Sequence, residues 1–224
     1  MQILVIAFST LLISFLIWWW VSKWTGRGYT GRDAPWQPPA VHDNILTPAE
    51  CDYIIKKADP LFTRSSVVGS ASPSDARTSE TAWIPKDDPV ARKILERASQ
   101  LTGKSIDNCE SLQVVRYKPG SYYRAHHDSC CDDVQACRDF EGMSGQRVGT
   151  LLVYLNSEFT EGETHFPEHN DLKVKPPRGS GVFFRPLGEN ENKCHPKALH
   201  AGLPIKEGTK YVCNAWVRED KFVI

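Results

Sequence analysis

Ser111-Leu112-Gln113-Val114-Val115-Arg116-Tyr117-Lys118-Pro119-Gly120-Ser121-Tyr122-Tyr123-Arg124-Ala125-His126-His127-Asp128 is the stretch where the chain changes character. Ser111 to Tyr117 is short, apolar and partly β-branched, which predicts a strand. Proline and glycine at the second and third positions of Lys118-Pro119-Gly120 predict a type II turn, and Ser121 to Asp128 then returns as a second strand. Alternate residues of a strand share a face, so His126 and Asp128 project together while His127 points away. An imidazole and a carboxylate in that relation supply two members of the facial triad that holds non-haem Fe(II) and leaves coordination positions open.

On the N-terminal side of this hairpin the pattern is helical. Thr47-Pro48-Ala49-Glu50 is a capping box with proline at the first helical position, and Cys51, Ile54, Ile55 and Ala58 continue at helical spacing. A second helix starts at Asp88-Pro89 and runs through Ile94, Leu95, Ala98 and Leu101 to Gly103. Arg64 to Asp87, between them, has no clear period and reads as a long loop. On the C-terminal side the pattern is strands and turns: Val148 to Asn156, Glu163 to Phe166, Leu172 to Lys175, Gly181 to Arg185, Ala198 to Ala201 and Lys210 to Val217. Helices followed by many short strands predict an α+β domain with an antiparallel sandwich or barrel. Of the later histidines, His165, His169 and His195 flank turns or a Gly/Asn-rich loop, whereas His200 stands just before a turn and another strand and so completes a triad better. Lys210 opens that strand.

The ends of the chain set its context. Of 224 residues, 27 are basic and 27 acidic, so there is no electrostatic footprint for nucleic acid. No charge precedes Lys23, and Ile3 to Val21 is apolar apart from Ser9, Thr10 and Ser14. At about 1.5 Å per residue that run spans roughly 28 Å, one bilayer core. It ends in Trp18-Trp19-Trp20, an interfacial aromatic belt where a cleaved signal peptide would carry small residues. Residues 1–22 are therefore expected to be a transmembrane signal anchor, and the Gly- and Pro-rich residues 23–40 a linker to a domain over 41–224. Lys23, Arg27 and Arg32 favour a cytosolic domain by the positive-inside rule. The seven cysteines, with Cys130, Cys131 and Cys137 clustered, favour disulfides in an oxidising lumen; zinc binding is the rival, but no Cys-x2-Cys pair occurs.

From about Leu112 to Arg218 the chain resembles the catalytic domain of the 2-oxoglutarate and Fe(II)-dependent prolyl 4-hydroxylases, of the collagen and plant types. The resemblance rests on Gln113-Val114-Val115-Arg116-Tyr117, Tyr123-Arg124-Ala125-His126-His127-Asp128, Arg147-Val148-Gly149-Thr150-Leu151-Leu152-Val153-Tyr154-Leu155-Asn156, Gly162-Glu163-Thr164-His165-Phe166-Pro167, Leu199-His200-Ala201-Gly202 and Gly208-Thr209-Lys210-Tyr211-Val212 with Trp216. Leu46-Thr47-Pro48-Ala49-Glu50-Cys51 extends it to the opening helix. It implies a double-stranded β-helix core of the jelly-roll kind, catalytic over about residues 109–219. It implies His126, Asp128 and His200 as iron ligands and Lys210 as the partner of the C5 carboxylate of 2-oxoglutarate. Tyr117, Thr150 and Tyr154 fall where the family places hydroxyls around that cosubstrate, with core packing as the alternative for each. The implied activity is O2-dependent hydroxylation of peptidyl proline to 4-hydroxyproline, with 2-oxoglutarate decarboxylated to succinate and L-ascorbate as a cofactor. The implied location is the endoplasmic reticulum or another secretory membrane, single-pass, with the domain in the lumen. Asp128 at the ligand position speaks against halogenation. The chain departs from the pattern at Ser129 to Phe140, which holds three cysteines, and around Arg77-Thr78-Ser79, which aligns only loosely. Other classes that fit are a hydroxylase of another residue or of a small molecule, a membrane-anchored binding module without turnover, and a cysteine-rich structural or redox protein.

Overall fold

The computed structural model describes residues 36–66, 75–132, 134–142, 144–188 and 193–223. The expected anchor, all of the linker before Trp36 and residues 67–74 of the expected long loop lie outside the described residues. Among the described residues, no helix is long and apolar enough to cross a membrane.

Two helices lead the domain, as their caps predict. Helix α1 (Pro48–Ala58) has Thr47 at its N-cap with the reciprocal Thr47–Glu50 hydrogen bonds of a capping box. Helix α2 (Pro89–Thr102) starts from Asp88, whose carboxylate accepts from the Val90 and Ala91 amides at 3.0 and 2.9 Å. It stops at Gly103, whose φ of +73° is the left-handed conformation of a helix terminus. A short third helix, α3 (Gln135–Glu141), lies in the cysteine-bearing stretch, where the sequence pattern indicates none.

Thirteen strands follow the chain among the described residues: β1 (Ala40–His42), β2 (Thr63–Arg64), β3 (Glu80–Ile84), β4 (Leu112–Tyr117), β5 (Tyr123–His126), β6 (Arg147–Tyr154), β7 (Phe159–Glu161), β8 (Thr164–Phe166), β9 (Leu172–Val174), β10 (Gly181–Phe184), β11 (His200–Gly202), β12 (Ile205–Gly208) and β13 (Lys210–Arg218). Strands β2 and β3 correct the expectation of a loop from Arg64 to Asp87: β3 pairs with β4 inside a large sheet. That sheet has seven strands in the order β1-β10-β6-β13-β4-β3-β2; a smaller one runs β5-β11-β8-β9, and β7 pairs with β12. The β4–β5 connection is the expected turn, with Gly120 at φ +78° and the Ser121 amide donating to Lys118 O at 2.8 Å.

The two sides of the large sheet are packed differently, and the period of two shows how. Val114, Leu151, Val153, Cys213, Ala215 and Val217 join a core shared with Ile54, Ile94 and Leu95 of the helices. Their neighbours Val115, Leu152, Tyr154 and Val212 face the other way, into a core shared with Phe166 of the small sheet. This is the two-layer sheet sandwich of a jelly roll with helices on its outer face, which bears out the expected α+β class.

The cysteines divide into two sets. Cys130–Cys137 and Cys131–Cys194 are disulfides, whereas Cys51, Cys109 and Cys213 are free and fully buried among apolar side chains. Burial pushes the Cys109 thiol up to about 12, so it behaves as a small hydrophobe. Trp36, in the stretch expected to be linker, packs on the domain: its ring stacks on His195 at 4.0 Å and its Nε1 donates to Arg185 O at 3.2 Å.

Candidate functional site

Strands β5 and β11 pair so that His126 and His200 are direct cross-strand neighbours. Asp128 lies just past the end of β5. Ligand atoms of His126, Asp128 and His200 all fall within 4.8 Å of one another, and no other such cluster of His, Cys, Asp and Glu occurs among the described residues. Both imidazoles turn Nε2 toward the carboxylate: His126 Nε2 is 3.8 Å from Oδ1 and His200 Nε2 is 3.8 Å from Oδ2 of Asp128.

The atoms behind the cluster fix the tautomers of its imidazoles. His126 Nδ1 lies 2.8 Å from Arg124 O and His200 Nδ1 lies 3.0 Å from Ala198 O. A backbone carbonyl can only accept, so Nδ1 carries a proton in each ring, and in the neutral tautomer this fixes Nε2 as the atom with the lone pair for a metal. Burial, then the adjacent His200, pushes His126 down to about 3, which leaves a neutral imidazole at physiological pH. Burial works against ionisation of Asp128, but His200, His126, Arg147 and the hydroxyl of Thr150 outweigh it and hold the carboxyl below its usual range. That hydroxyl donates to Asp128 Oδ2 at 2.7 Å. Two imidazoles that turn Nε2 inward and an oriented carboxylate are the donor set suited to Fe(II).

A cavity of about 380 Å³ opens over these three residues, and Lys210 borders it from β13. Lys210 is only 2 % exposed, and its Nζ donates to Gly162 O at 2.7 Å. Among the described residues no carboxylate lies within ion-pair distance of it. The rings of Tyr154 and Tyr117 stand 4.7 and 5.3 Å from Nζ. Burial pushes Lys210 down to about 7, with Lys175 adding to the effect and Glu163 opposing it. A buried cation without a protein counter-ion, facing a cavity, suits an anionic group of a ligand.

The other expected residues are distributed differently. Tyr117 borders the cavity. Thr150 is committed to Asp128, and the Tyr154 hydroxyl to Thr164 Oγ1 at 2.8 Å and Val174 O at 3.2 Å, so neither hydroxyl is left over for the cavity. His127 borders the cavity but stays outside the triad, and His165 Nε2 bonds to Asp171 at 2.6 Å on the surface. Arg77 and Arg147, which sequence patterns leave unassigned, also line the cavity. Arg77 is buried, held by Ser79, Thr81 and Gln113, with its guanidinium 4.7 Å from the Tyr123 ring. Arg147 makes a two-pronged ion pair with Glu110 and sits 3.4 Å from the Trp216 ring. Arg147 opens β6 one residue before the strand expected from Val148 to Asn156, and nothing in the sequence marks its partner.

Residues 112–218 match the model of the 2OG-Fe(II) oxygenase superfamily. The chain is 43 % identical over 194 residues to a putative prolyl 4-hydroxylase of Acanthamoeba polyphaga mimivirus, covering 87 % of this chain and 79 % of that one. It is 31 % identical over 205 residues to prolyl 4-hydroxylase 1 of Arabidopsis thaliana, covering 82 % and 70 %. Among solved structures it is similar to the viral collagen prolyl hydroxylase from Paramecium Bursaria Chlorella virus-1 in its 2OG complex, at 34 % identity and a TM-score of 0.64, over 81 % of this chain and 96 % of that one.

Proposed function

The chain belongs to the prolyl 4-hydroxylase family of 2OG-Fe(II) oxygenases, and on that premise we propose that it hydroxylates peptidyl proline to 4-hydroxyproline while 2-oxoglutarate is decarboxylated to succinate. The observation that carries the proposal is the joint presence, around one cavity, of the His126–Asp128–His200 cluster and the unpaired buried Lys210. A keto acid that chelates a metal at one end and ends in a carboxylate at the other needs both.

His126, Asp128 and His200 would hold Fe(II), which supplies dioxygen activation and the redox chemistry of hydroxylation when bound. The chain's own contribution is placement and electrostatics. The carbonyls of Arg124 and Ala198 hold the Nδ1–H of each ring and so turn Nε2 toward the cluster, and Thr150 fixes the rotation of the Asp128 carboxylate. Lys210, partly neutral near pH 7 when alone, takes up a proton as the far carboxylate of 2-oxoglutarate arrives and returns to the Gly162 carbonyl when it leaves. Tyr117 packs beside that site, and the buried walls keep water from competing with the ion pair.

We also propose residues 1–22 as a membrane anchor, a domain in the secretory lumen and ascorbate as the reductant that keeps iron ferrous. The apolar N-terminal run and the disulfides support the location. Protease protection in sealed microsomes tests it, with a protected domain expected. The catalytic proposal is tested by succinate release from 2-oxoglutarate in the presence of Fe(II), ascorbate and a proline-rich peptide. Release should depend on every component and vanish in His126→Ala; release that ignores the peptide would contradict it.

A further inference from the structure

Sheet pairing explains only part of the metal cluster. His126 and His200 are set against each other by the β5–β11 register, but Asp128 stands beyond the last residue of β5, where that ladder has ended. Thr150 and Arg147 tie Asp128 to β6 of the large sheet, but neither contact joins its segment to the one that carries His200.

Two half-cystines follow Asp128 almost directly. Cys131 is bonded to Cys194, across 63 residues of sequence and with the two Cα atoms 5.6 Å apart. Cys194 lies on the approach to His200, and a short chain of contacts joins them. Leu187 and Cys194 form an isolated bridge, and His195 N donates to Pro186 O at 2.9 Å. His195 then caps the 3-10 turn Pro196–Ala198, and Ala198 O accepts the Nδ1 proton of His200. Trp36 stacks on His195 from outside and braces the same turn. On the other side, Cys194 Sγ rests 3.4 Å from Ser129 O, and Ser129 Oγ donates to Arg147 O at 2.6 Å. The second disulfide, Cys130–Cys137, spans a separation of only 7 and ties the post-Asp128 segment to α3 rather than to His200.

We propose that Cys131–Cys194 is a positioning clasp for the metal cluster, one that joins the segment after Asp128 to the segment before His200 and so sets the carboxylate-to-imidazole separation. The proposal rests on the ligand assignment above. Groups behind metal ligands typically change affinity by about 10- to 100-fold when removed, and the clasp is expected to act in that range.

The test is Mn(II) affinity of the full chain, read by the resonance signal of free Mn(II), for wild type, Cys131→Ala/Cys194→Val, Cys130→Ala/Cys137→Val and His200→Ala. Opening Cys131–Cys194 should weaken Mn(II) by about 10- to 100-fold with far-ultraviolet dichroism unchanged, while opening Cys130–Cys137 should cost less than about threefold. Should the first variant not fold, wild-type chain is titrated with a water-soluble phosphine and alkylated, and affinity is followed against the fraction of Cys131–Cys194 cleaved. Mn(II) affinity equal to that of the oxidised chain, in the variant or in the cleaved protein, overturns the clasp. Equal losses from both disulfides point to general loosening and overturn it too, as does recovery of Cys131 and Cys194 as free thiols from the native chain. Undiminished binding in His200→Ala would instead overturn the ligand assignment, and the clasp with it.

Discussion

Lys210→Met should make the ligand-free protein more stable and at the same time blind to 2-oxoglutarate. Lys210 is held at about 7 by burial against an ordinary value of 10.5. In the unfolded chain it is protonated throughout that interval, whereas in the folded chain it is not. At about 1.36 kcal/mol per pH unit, keeping this amine in its buried place costs about 4 to 5 kcal/mol at neutral pH. Methionine has similar length and no charge to desolvate; removing the bond from Nζ to Gly162 O gives back about 1 to 2 kcal/mol by leaving that carbonyl without a donor. The expected net gain is about 3 kcal/mol, read by urea unfolding at pH 7. The sign of the pH dependence is a second check. Between about 7 and 10.5 the unfolded chain binds the proton and the folded chain does not, so wild-type stability rises with pH relative to the variant and the variant's advantage shrinks. Added 2-oxoglutarate with Mn(II) at about 100 times its dissociation constant should stabilise wild type by about 2.7 kcal/mol and leave the variant unmoved. A variant that is less stable than wild type at pH 7, that keeps a constant difference up to pH 10, or that still responds to 2-oxoglutarate would refute the role given to Lys210.

Three further substitutions probe the surroundings. Thr150→Val removes the donor to Asp128 Oδ2 with little change of volume, and Mn(II) affinity should fall about tenfold while the melting temperature stays close to wild type. Asp88→Ala takes away the cap of α2 and the acceptor of the Tyr53 hydroxyl, so urea unfolding should show a loss of about 2 to 3 kcal/mol with 2-oxoglutarate affinity of the folded fraction unchanged. Gly162→Ala would place a Cβ 2.1 Å from Ile205 Cδ1 at a backbone φ of +71°. It should destabilise the fold by about 2 to 3 kcal/mol and also weaken 2-oxoglutarate binding, because the Gly162 carbonyl is the resting partner of Lys210.

How much of this was legible in the sequence depended on whether a residue's role is local. The caps at Thr47 and Asp88 and the turn at Lys118-Pro119-Gly120 follow from neighbours within a few positions, and the structure has each of them; His126 and Asp128 do converge, but β5 ends at His126 and Asp128 joins the cluster from beyond the strand rather than along its face. Strand β3 escaped because its surroundings are polar inside the fold: Ser79 and Thr81 are buried, and Ser65 and Arg77 satisfy them, so no apolar period marks the segment. Arg77 was hidden for the same reason. The partners of Thr150 and Tyr154 depend on a carboxylate 22 residues away and a threonine 10 residues away, which only the packing of the large sheet against the small one brings into reach. Helix α3 is short, begins without a side-chain cap and is fastened by Cys130–Cys137, so it left no periodic signal, and the pairing of the cysteines is tertiary by nature.

Isotopically heavy dioxygen offers the most direct test of the central claim. The chain, with Fe(II), 2-oxoglutarate and ascorbate, is incubated with a proline-rich peptide under the labelled gas, and the peptide and succinate are weighed by mass spectrometry. One labelled oxygen on a proline ring and one in succinate, both absent in His200→Ala and in Asp128→Ala, is the predicted result. Labelled succinate with no oxygen on any proline would contradict the substrate, and product formation that survives either ligand variant would contradict the site.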